Sequence, residues 1–221
     1  MVEAGRLKIV ILISGRGSNM TALAEACAAG DFPAEVAAVI SNRPDAQGLT
    51  TAANRGITTA IVDHTQYDAR AGFEAALSAA IESSGADLVC LAGFMRLLGA
   101  PFVDQWRDRL INIHPSLLPA FKGLDTHGQV LAAGARFSGC TVHFVRPATD
   151  EGPIIVQAAL AVAPSDTAAG LAARVLEQEH RIYPLAVRWI AEGRVTVANE
   201  TVTIAGASAG SGVTINPESA P

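Results

Sequence analysis

The sequence alternates short apolar runs with longer alanine-rich segments, and this alternation constrains the fold more than any other feature. The apolar runs are rich in Ile, Val and Leu, and the segments between them carry charged side chains on one side. This order is typical of βαβ units built around a parallel sheet. Several runs are apolar almost throughout, as strands covered on both faces are. We therefore predict an α/β fold: a single-domain, doubly wound, mostly parallel sheet with helices on both faces.

The same pattern places the individual elements. The predicted strands are Leu7–Ile13, Glu35–Ile40, Thr58–Val62, Leu88–Leu91, Leu110–Ile113, Cys140–Val145 and Ile154–Leu160. The predicted helices are Asn19–Ala29, Gly48–Arg55, Arg70–Ser83, Pro101–Arg107, Gly128–Ala133 and Thr167–Glu192. Pro184 lies inside the last helix, so the segment is either kinked or two helices. The domain is predicted over residues 1–205, and a small-residue composition predicts a flexible tail over residues 206–221.

Charge and cysteine content exclude several classes of protein. The chain has 16 Lys and Arg against 21 Asp and Glu, a net charge of -5. This sign is wrong for a protein that binds nucleic acid or anionic membranes through a broad basic surface, so neither partner is expected. The 3 cysteines lie far apart, which predicts buried apolar side chains instead of a disulfide framework. Neither a membrane span nor a signal peptide is recognisable, and a cytoplasmic location is expected.

A glycine-containing loop joins the first predicted strand to the first helix. Its sequence is Ser14-Gly15-Arg16-Gly17-Ser18-Asn19. Because a helix N-terminus has unpaired N–H groups and the positive end of the dipole, Gly17, Ser18 and Asn19 are predicted to bind a phosphate. The alternative is a tight turn in which Asn19 caps the helix. Met20 replaces the third glycine of the dinucleotide fingerprint, and the loop has no Walker lysine.

The fifth predicted strand ends in two polar side chains, Asn112 and His114. They are two residues apart, so strand alternation places them on one face and Ile113 on the other. The carboxyl end of a central strand is where open α/β sheets bind ligands. An amide can donate a hydrogen bond to a developing oxyanion, and an imidazole can give or take a proton during a reaction. The alternative is a pair of strand-end residues that cap a loop.

An acidic loop follows the next predicted strand, from Arg146 to Pro153. If Asp150 lies within hydrogen-bond reach of His114, its carboxylate favours the charged imidazolium. The alternative is an ordinary acidic turn. The other histidines lack the spacing of metal ligands and the sequence has no His-Glu-x-x-His, so no metal site is predicted.

The run around His114 resembles the signature of the folate-dependent formyltransferases. It reads Ile111-Asn112-Ile113-His114-Pro115-Ser116-Leu117-Leu118-Pro119. The resemblance extends from Lys8 to about Val197, and further motifs occur in the same order at Ser14 to Asn19, Leu91 to Arg96, Gly123 to His127 and Gln178 to Pro184. It implies an enzyme of one-carbon group transfer with the Rossmann-like fold of that family. Glu151 stands where some family members have glycine.

The resemblance also implies a reaction and a set of residues. Within the family, the motifs resemble the members that transfer the formyl group of 10-formyltetrahydrofolate to the amino group of 5'-phosphoribosylglycinamide. That reaction belongs to de novo purine biosynthesis and proceeds by direct transfer through a tetrahedral intermediate. The implied catalytic residues are Asn112, His114 and Asp150. The implied phosphoribosylglycinamide site is Gly17, Ser18, Asn19 and Glu179. The folate cosubstrate is expected at Arg70, Met95, Arg96, Leu97, Leu98, Asn112, Arg146, Pro147, Ala148, Thr149 and Asp150.

The chemistry of these side chains is compatible with the implied ligands. Arg70 suits a carboxylate of the folate glutamate tail, and Met95, Leu97 and Leu98 suit an apolar pterin face. The alternative for Met95 to Leu98 is plain core packing. Two other functions stay open: a formyltetrahydrofolate hydrolase, which has the same catalytic core, and a non-catalytic module that binds a phosphate ligand. The expected partners are small molecules, with the chain a monomer or homodimer.

Overall fold

The computed structural model describes residues 5–208, 210 and 214–217. Within these residues the central sheet has seven strands, in the order β3-β2-β1-β4-β5-β6-β7. Strands β1 to β5 are parallel, β6 is antiparallel to β5, and β7 is antiparallel to β6. The prediction of a mostly parallel α/β sheet is confirmed. The strands are β1 Leu7–Ile13, β2 Ala34–Ser41, β3 Thr59–Ile61, β4 Leu88–Leu91, β5 Leu110–His114, β6 Phe137–Phe144 and β7 Ile154–Ala161.

Helices cover both faces of this sheet. The alternation along β1 shows why: Ile9, Ile11 and Ile13 pack into one apolar core, while Val10 and Leu12 pack into the other. Side chains of α1, α2, α5 and α6 line the first core, and side chains of α3 and α4 line the second. The helices are α1 Ser18–Ala28, α2 Gln47–Ala53, α3 Arg70–Ser83, α4 Ala100–Gln105, α5 Thr126–Ala132 and α6 Ala168–Ala191.

Helix α6 is a single helix that contains Pro184. Of the two possibilities that the sequence left for this segment, the division into two helices is therefore wrong. The helix anchors the sheet through Tyr183, which is fully buried. The Tyr183 hydroxyl donates a hydrogen bond to the carbonyl oxygen of Leu91 at 2.9 Å and lies 3.3 Å from that of Ile111. Tyr183 thus ties α6 to β4 and β5.

Replacing Tyr183 by phenylalanine is expected to lower the free energy of unfolding by about 1–2 kcal/mol, because buried carbonyl oxygens lose a donor. Denaturant unfolding of the two proteins measures the difference. Tyr67→Phe is the matched control, since the Tyr67 hydroxyl makes no hydrogen bond within the described part of the chain. Equal effects of the two substitutions would contradict the anchoring role of Tyr183.

A C-terminal hairpin was not predicted from the sequence. Strands β8, Val195–Ala198, and β9, Thr201–Ile204, pair antiparallel. Asn199 and Glu200 form the turn between them with φ of 50° and 58°, as a two-residue hairpin turn requires. Apolar side chains of both strands pack against the first core. The hairpin is therefore part of the folded domain.

The predicted tail, residues 206–221, lies partly outside the described residues. Of its described part, Asn216 Nδ2 donates a hydrogen bond to the Val162 carbonyl oxygen at 3.1 Å. The flexibility of the tail and the domain boundary stay predictions. Cys27, Cys90 and Cys140 are buried free thiols, as predicted. In the described chain, no helix is long and apolar enough to cross a membrane.

Candidate active site

The carboxyl end of β5 carries Asn112 and His114 on the same face of the sheet. Their neighbours Ile111 and Ile113 pack into the core of the opposite face, which confirms the predicted alternation. The strand continues one residue further than predicted, to His114, which is only 5% exposed. The antiparallel strand β6 places His143 directly opposite Asn112.

His143 fixes the orientation of the Asn112 amide. The Nδ1 of His143 lies 3.0 Å from the Phe144 carbonyl oxygen, which only accepts hydrogen bonds, so Nδ1 carries the proton. The Nε2 is then an acceptor, and Asn112 Nδ2 donates to it at 3.3 Å. Burial lowers the pKa of His143, which favours this neutral form. Sequence reasoning set His143 aside, because its proximity to Asn112 depends on the antiparallel pairing of β5 and β6.

At pH 7 we expect His143 to be neutral with its proton on Nδ1, and to titrate below the ordinary histidine pKa of about 6.5. Since the folded state disfavours the charged ring, the unfolded chain takes up the proton first. The contribution of His143 to stability is complete above about pH 6.5 and is lost as the pH falls towards the lowered pKa. A long-range ¹H–¹⁵N spectrum reports tautomer and titration, with His143→Gln assigning the signals. A charged ring at pH 7 would contradict this arrangement.

His114 lies between two acceptors. Its Nε2 is 3.1 Å from the Phe121 carbonyl oxygen, and its Nδ1 is 3.4 Å from Asp150 Oδ1. A doubly protonated ring satisfies both contacts. The other carboxylate oxygen of Asp150 accepts a hydrogen bond from the Gly123 backbone at 2.7 Å. The predicted proximity of Asp150 to His114 is thus present, whereas the Phe121 and Gly123 contacts had no sequence signal.

Asp150 is held by a closed loop between β6 and β7. The Arg146 N–H donates to the Glu151 carbonyl oxygen at 3.0 Å and closes the loop. The Arg146 guanidinium pairs with Asp108 and Glu200, and only 9% of that side chain is exposed. Its predicted contact with folate stays a prediction. The predicted folate contacts Pro147, Ala148 and Thr149 are exposed on the same loop.

The predicted phosphate loop runs into the N-terminus of α1. Gly17 is the N-cap residue, with φ of 76°, so the alternative of Asn19 as the helix cap is wrong. A Cβ on Gly17 would lie 3.1 Å from the Gly48 Cα, so the loop and α2 approach closely at two glycines. Ser18 is partly exposed at the first helical position. A cleft of about 250 Å³ adjoins the loop and is lined by Ser14, Gly15, Arg16, Arg43, Asp45, Ala46 and Gln47.

Asn19 and Glu179, both implied in the phosphoribosylglycinamide site, meet in the structure. Asn19 Nδ2 donates to Glu179 Oε2 at 2.6 Å, and both side chains are buried. Asn19 Oδ1 is buried and has no hydrogen-bond partner among the described residues. Burial raises the pKa of Glu179, an effect opposed by the hydrogen bond from Asn19 and by His180 and His114 nearby. Asn19 therefore keeps one buried acceptor atom that no described residue satisfies.

An apolar surface lies beside the phosphate loop. Met95 and Leu97 are 64% and 68% exposed, so the alternative of core packing is wrong for these two side chains. Arg96 is also exposed, and Leu98 is partly buried. The Met95 N–H donates to Ser14 Oγ at 2.7 Å, which joins the surface to the phosphate loop.

Arg70 flanks this surface. Its Nε is 3.6 Å from Glu74 Oε1, and Glu74 accepts a hydrogen bond from the Gly99 N–H at 2.6 Å. The Arg70 side chain is 61% exposed, so its guanidinium is accessible to an anion. No group of three or more His, Cys, Asp or Glu side chains that could hold a metal occurs in the described part of the chain.

Most of the domain matches one protein family. The family model described as formyl transferase matches residues 7–187. The chain belongs to the formyl transferase family. The matched segment includes all the residues predicted for the catalytic, phosphoribosylglycinamide and folate sites, and the resemblance noted from the sequence motifs is confirmed.

Members of the formyl transferase family resemble the chain in sequence and structure. Phosphoribosylglycinamide formyltransferase of Escherichia coli (strain K12) is 44% identical over 189 residues, which cover 86% of this chain and 89% of that protein. The crystal structure of glycinamide ribonucleotide transformylase 1 from Symbiobacterium toebii has a TM-score of 0.89 at 46% identity and covers 91% of this chain and 95% of that chain. The trifunctional purine biosynthetic protein adenosine-3 of Gallus gallus is 44% identical over 196 residues. The chain spans only 20% of the length of that relative.

Proposed function

We propose that the chain transfers the formyl group of 10-formyltetrahydrofolate to the amino group of 5'-phosphoribosylglycinamide, a step of de novo purine biosynthesis. The observation that carries the proposal is the convergence of Asn112, His114 and Asp150 at the carboxyl end of β5. The membership in the formyl transferase family supports the reaction class, and the name of the Escherichia coli relative supports the acceptor.

In this proposal the catalytic trio, Asn112, His114 and Asp150, promotes the direct transfer of the formyl group through a tetrahedral intermediate. Asn112, whose amide His143 orients, donates a hydrogen bond to the developing oxyanion. His114, protonated on both ring nitrogens, adds a positive charge to this neutral donor. As the substrate amine bonds to the formyl carbon and the bond from that carbon to the folate nitrogen breaks, the His114 Nδ1 proton moves to the leaving nitrogen, and the proton lost by the amine replaces it on His114. The Asp150 carboxylate, 3.4 Å from Nδ1, stabilises the imidazolium before the transfer and after the proton is replaced.

The two substrates would bind to two neighbouring surfaces, the phosphate loop and the apolar surface beside it. Gly17, Ser18 and Asn19 at the α1 N-terminus would bind the phosphate, because their backbone N–H groups are not all used within the helix. Glu179 would bind the amine-bearing end of the same substrate. This role is supported by its hydrogen bond to Asn19, the residue at the start of α1 that would bind the phosphate of the same substrate.

The folate cosubstrate is assigned to the other surface. It would contact Arg70, the residues Met95 to Leu98, Asn112 and the residues Arg146 to Asp150. Exposed Met95 and Leu97 suit its flat pterin, and accessible Arg70 suits a carboxylate of its glutamate tail. When bound, this cosubstrate supplies the formyl group. The expectation that the reaction needs no metal stays a prediction.

A spectrophotometric assay of the deformylation of 10-formyltetrahydrofolate, run with and without phosphoribosylglycinamide, tests the proposal. We expect turnover only with the ribonucleotide. Turnover without it would identify a formyltetrahydrofolate hydrolase. If both ligands bind and neither condition gives turnover, the chain is a binding module and the catalytic trio is misassigned. The expected cytoplasmic location and the monomeric or homodimeric state stay predictions.

A further inference from the structure

An ion-pair network joins the tip of the β8–β9 hairpin to the loop that carries Asp150. Arg146 Nε lies 2.6 Å from Glu200 Oε2, and Arg146 Nη2 lies 2.7 Å from Asp108 Oδ1. Glu200 also pairs with Arg107. Three segments meet here: the α4–β5 connection, the β6–β7 loop and the hairpin turn. The hairpin lies beyond residue 187, so the network connects the family-matched segment to a part of the chain outside it.

The Arg146 side chain is less exposed than those of Arg43 and Arg107, which also form ion pairs. Only 9% of its side chain is exposed, whereas the side chains of Arg43 and Arg107 are 53% and 47% exposed. The two carboxylates are 45% and 53% exposed, but the planar guanidinium between them is itself enclosed and is held in one orientation. The hydrogen bonds from Arg146 lower the pKa of Glu200, so the pair is charged at neutral pH.

Arg146 also belongs to the loop that carries Asp150. Its backbone N–H closes the loop on the Glu151 carbonyl oxygen at 3.0 Å, next to Asp150. Glu200 itself is fixed by the two-residue turn and by the packing of both hairpin strands on the core. Arg146 therefore takes part both in the ion-pair network and in the loop that places Asp150 near His114.

We infer that Glu200 is a positioning residue for the transfer reaction: through Arg146 it holds the β6–β7 loop in the conformation in which Asp150 faces His114. The inference rests on the proposed function, because the catalytic role of Asp150 belongs to it. The ion pairs of Glu200 are with Arg107 and Arg146 and not with the phosphate loop, so we expect ribonucleotide binding to stay unchanged.

Glu200→Gln tests this inference by a split between kcat and KM. The substitution keeps the size of the side chain and removes its charge. We expect kcat to fall about tenfold, since a misplacement of about 1 Å at a reacting group can cost up to about 10²-fold. The KM for phosphoribosylglycinamide should stay within about twofold of the wild-type value, because the substitution removes no contact that binds this substrate equally in the ground state and the transition state. Glu192→Gln is the matched control: Glu192 pairs with Arg188 and Arg194 and not with the loop, so its kcat should equal that of the wild type.

A double-mutant cycle tests the route through Arg146. If Glu200 acts through Arg146, the double variant Arg146→Gln/Glu200→Gln should lose no more kcat than the more damaged single variant. Losses that multiply would overturn the inference, as would a Glu200→Gln enzyme with wild-type kcat. If Glu200→Gln lowers only the free energy of unfolding, kcat per folded molecule stays at the wild-type value. That result would also contradict the positioning role.

Hydrogen exchange tests, without any assay of activity, whether the Glu200–Arg146 pair holds the β6–β7 loop in place. We call this contact the tether. In Glu200→Gln, the amides of Arg146 and Gly123 should exchange about threefold faster or more, because each is bonded to the loop or to Asp150. The Thr21 amide, bonded to the Gly17 carbonyl oxygen in the phosphate loop, is the internal reference. Unchanged exchange at Arg146 and Gly123 would overturn the tether even in an active enzyme. If the wild type does not transfer formyl groups, the proposed function fails, and the exchange rates still decide on the tether.

Discussion

Replacing Asn112 by alanine is expected to lower kcat for the proposed formyl transfer by about 10²- to 10³-fold, the range seen when a donor to an oxyanion is removed. Asn112 lies on the same strand face as His114, and its amide nitrogen is directed by neutral His143. Because the donor is already oriented before the substrate arrives, its hydrogen bond strengthens as negative charge develops on the formyl oxygen. Steady-state kinetics with both substrates varied measures the loss.

Two further variants distinguish the loss of the hydrogen-bond donor from the loss of side-chain packing. Asn112→Asp keeps the volume of the side chain but replaces the N–H donor with an oxygen, so its kcat should fall at least as far as that of the alanine variant. Asn54→Ala removes an exposed amide at the C-terminal end of α2 and should leave kcat unchanged. Near-normal turnover of Asn112→Ala would remove Asn112 from the mechanism.

The sequence predicts the parts of the site that follow from local periodicity. The alternation within β5 places Asn112 and His114 on one face whatever the remaining fold, and the glycines after β1 mark a turn before a helix. Both features depend on residues close together in the chain. The structure confirms the alternation of β5 and the position of the loop at the α1 N-terminus.

Contacts between distant segments lie beyond such reasoning. His143 reaches Asn112 only because β6 reverses direction beside β5, and the sequence pattern of β6 is the same for either direction. Glu200 lies near Arg146 because residues 195–204 form a short hairpin, and the sequence analysis did not predict the two strands of that hairpin. The hydrogen bond between Asn19 and Glu179 joins residues 160 positions apart. The family resemblance named both residues but could not supply that contact.

The β6–β7 loop depends on one glycine. Gly152 has φ of 134°, and a Cβ there would lie 1.9 Å from the Phe144 carbonyl oxygen. No side chain fits at that distance, so the backbone between Phe144 and Gly152 must shift when one is added. That segment includes Asp150, whose carboxylate is 3.4 Å from His114 and bonded to the Gly123 N–H.

Gly152→Ala is therefore expected to lower kcat by about 10²-fold or more, since a displacement of about 1 Å at a catalytic group costs that much. Backbone strain adds a loss of about 1–3 kcal/mol in the free energy of unfolding. Gly134→Ala is the matched control: Gly134 also has a positive φ, of 63°, but nothing lies within 4 Å of its Cβ position. The control should lose stability and keep its kcat, because strain without a clash leaves Asp150 in place. Thermal unfolding and kinetics on both variants, assayed well below their Tm, separate the two effects. A Gly152→Ala enzyme with the kcat of Gly134→Ala would show that the loop conformation does not set the position of Asp150.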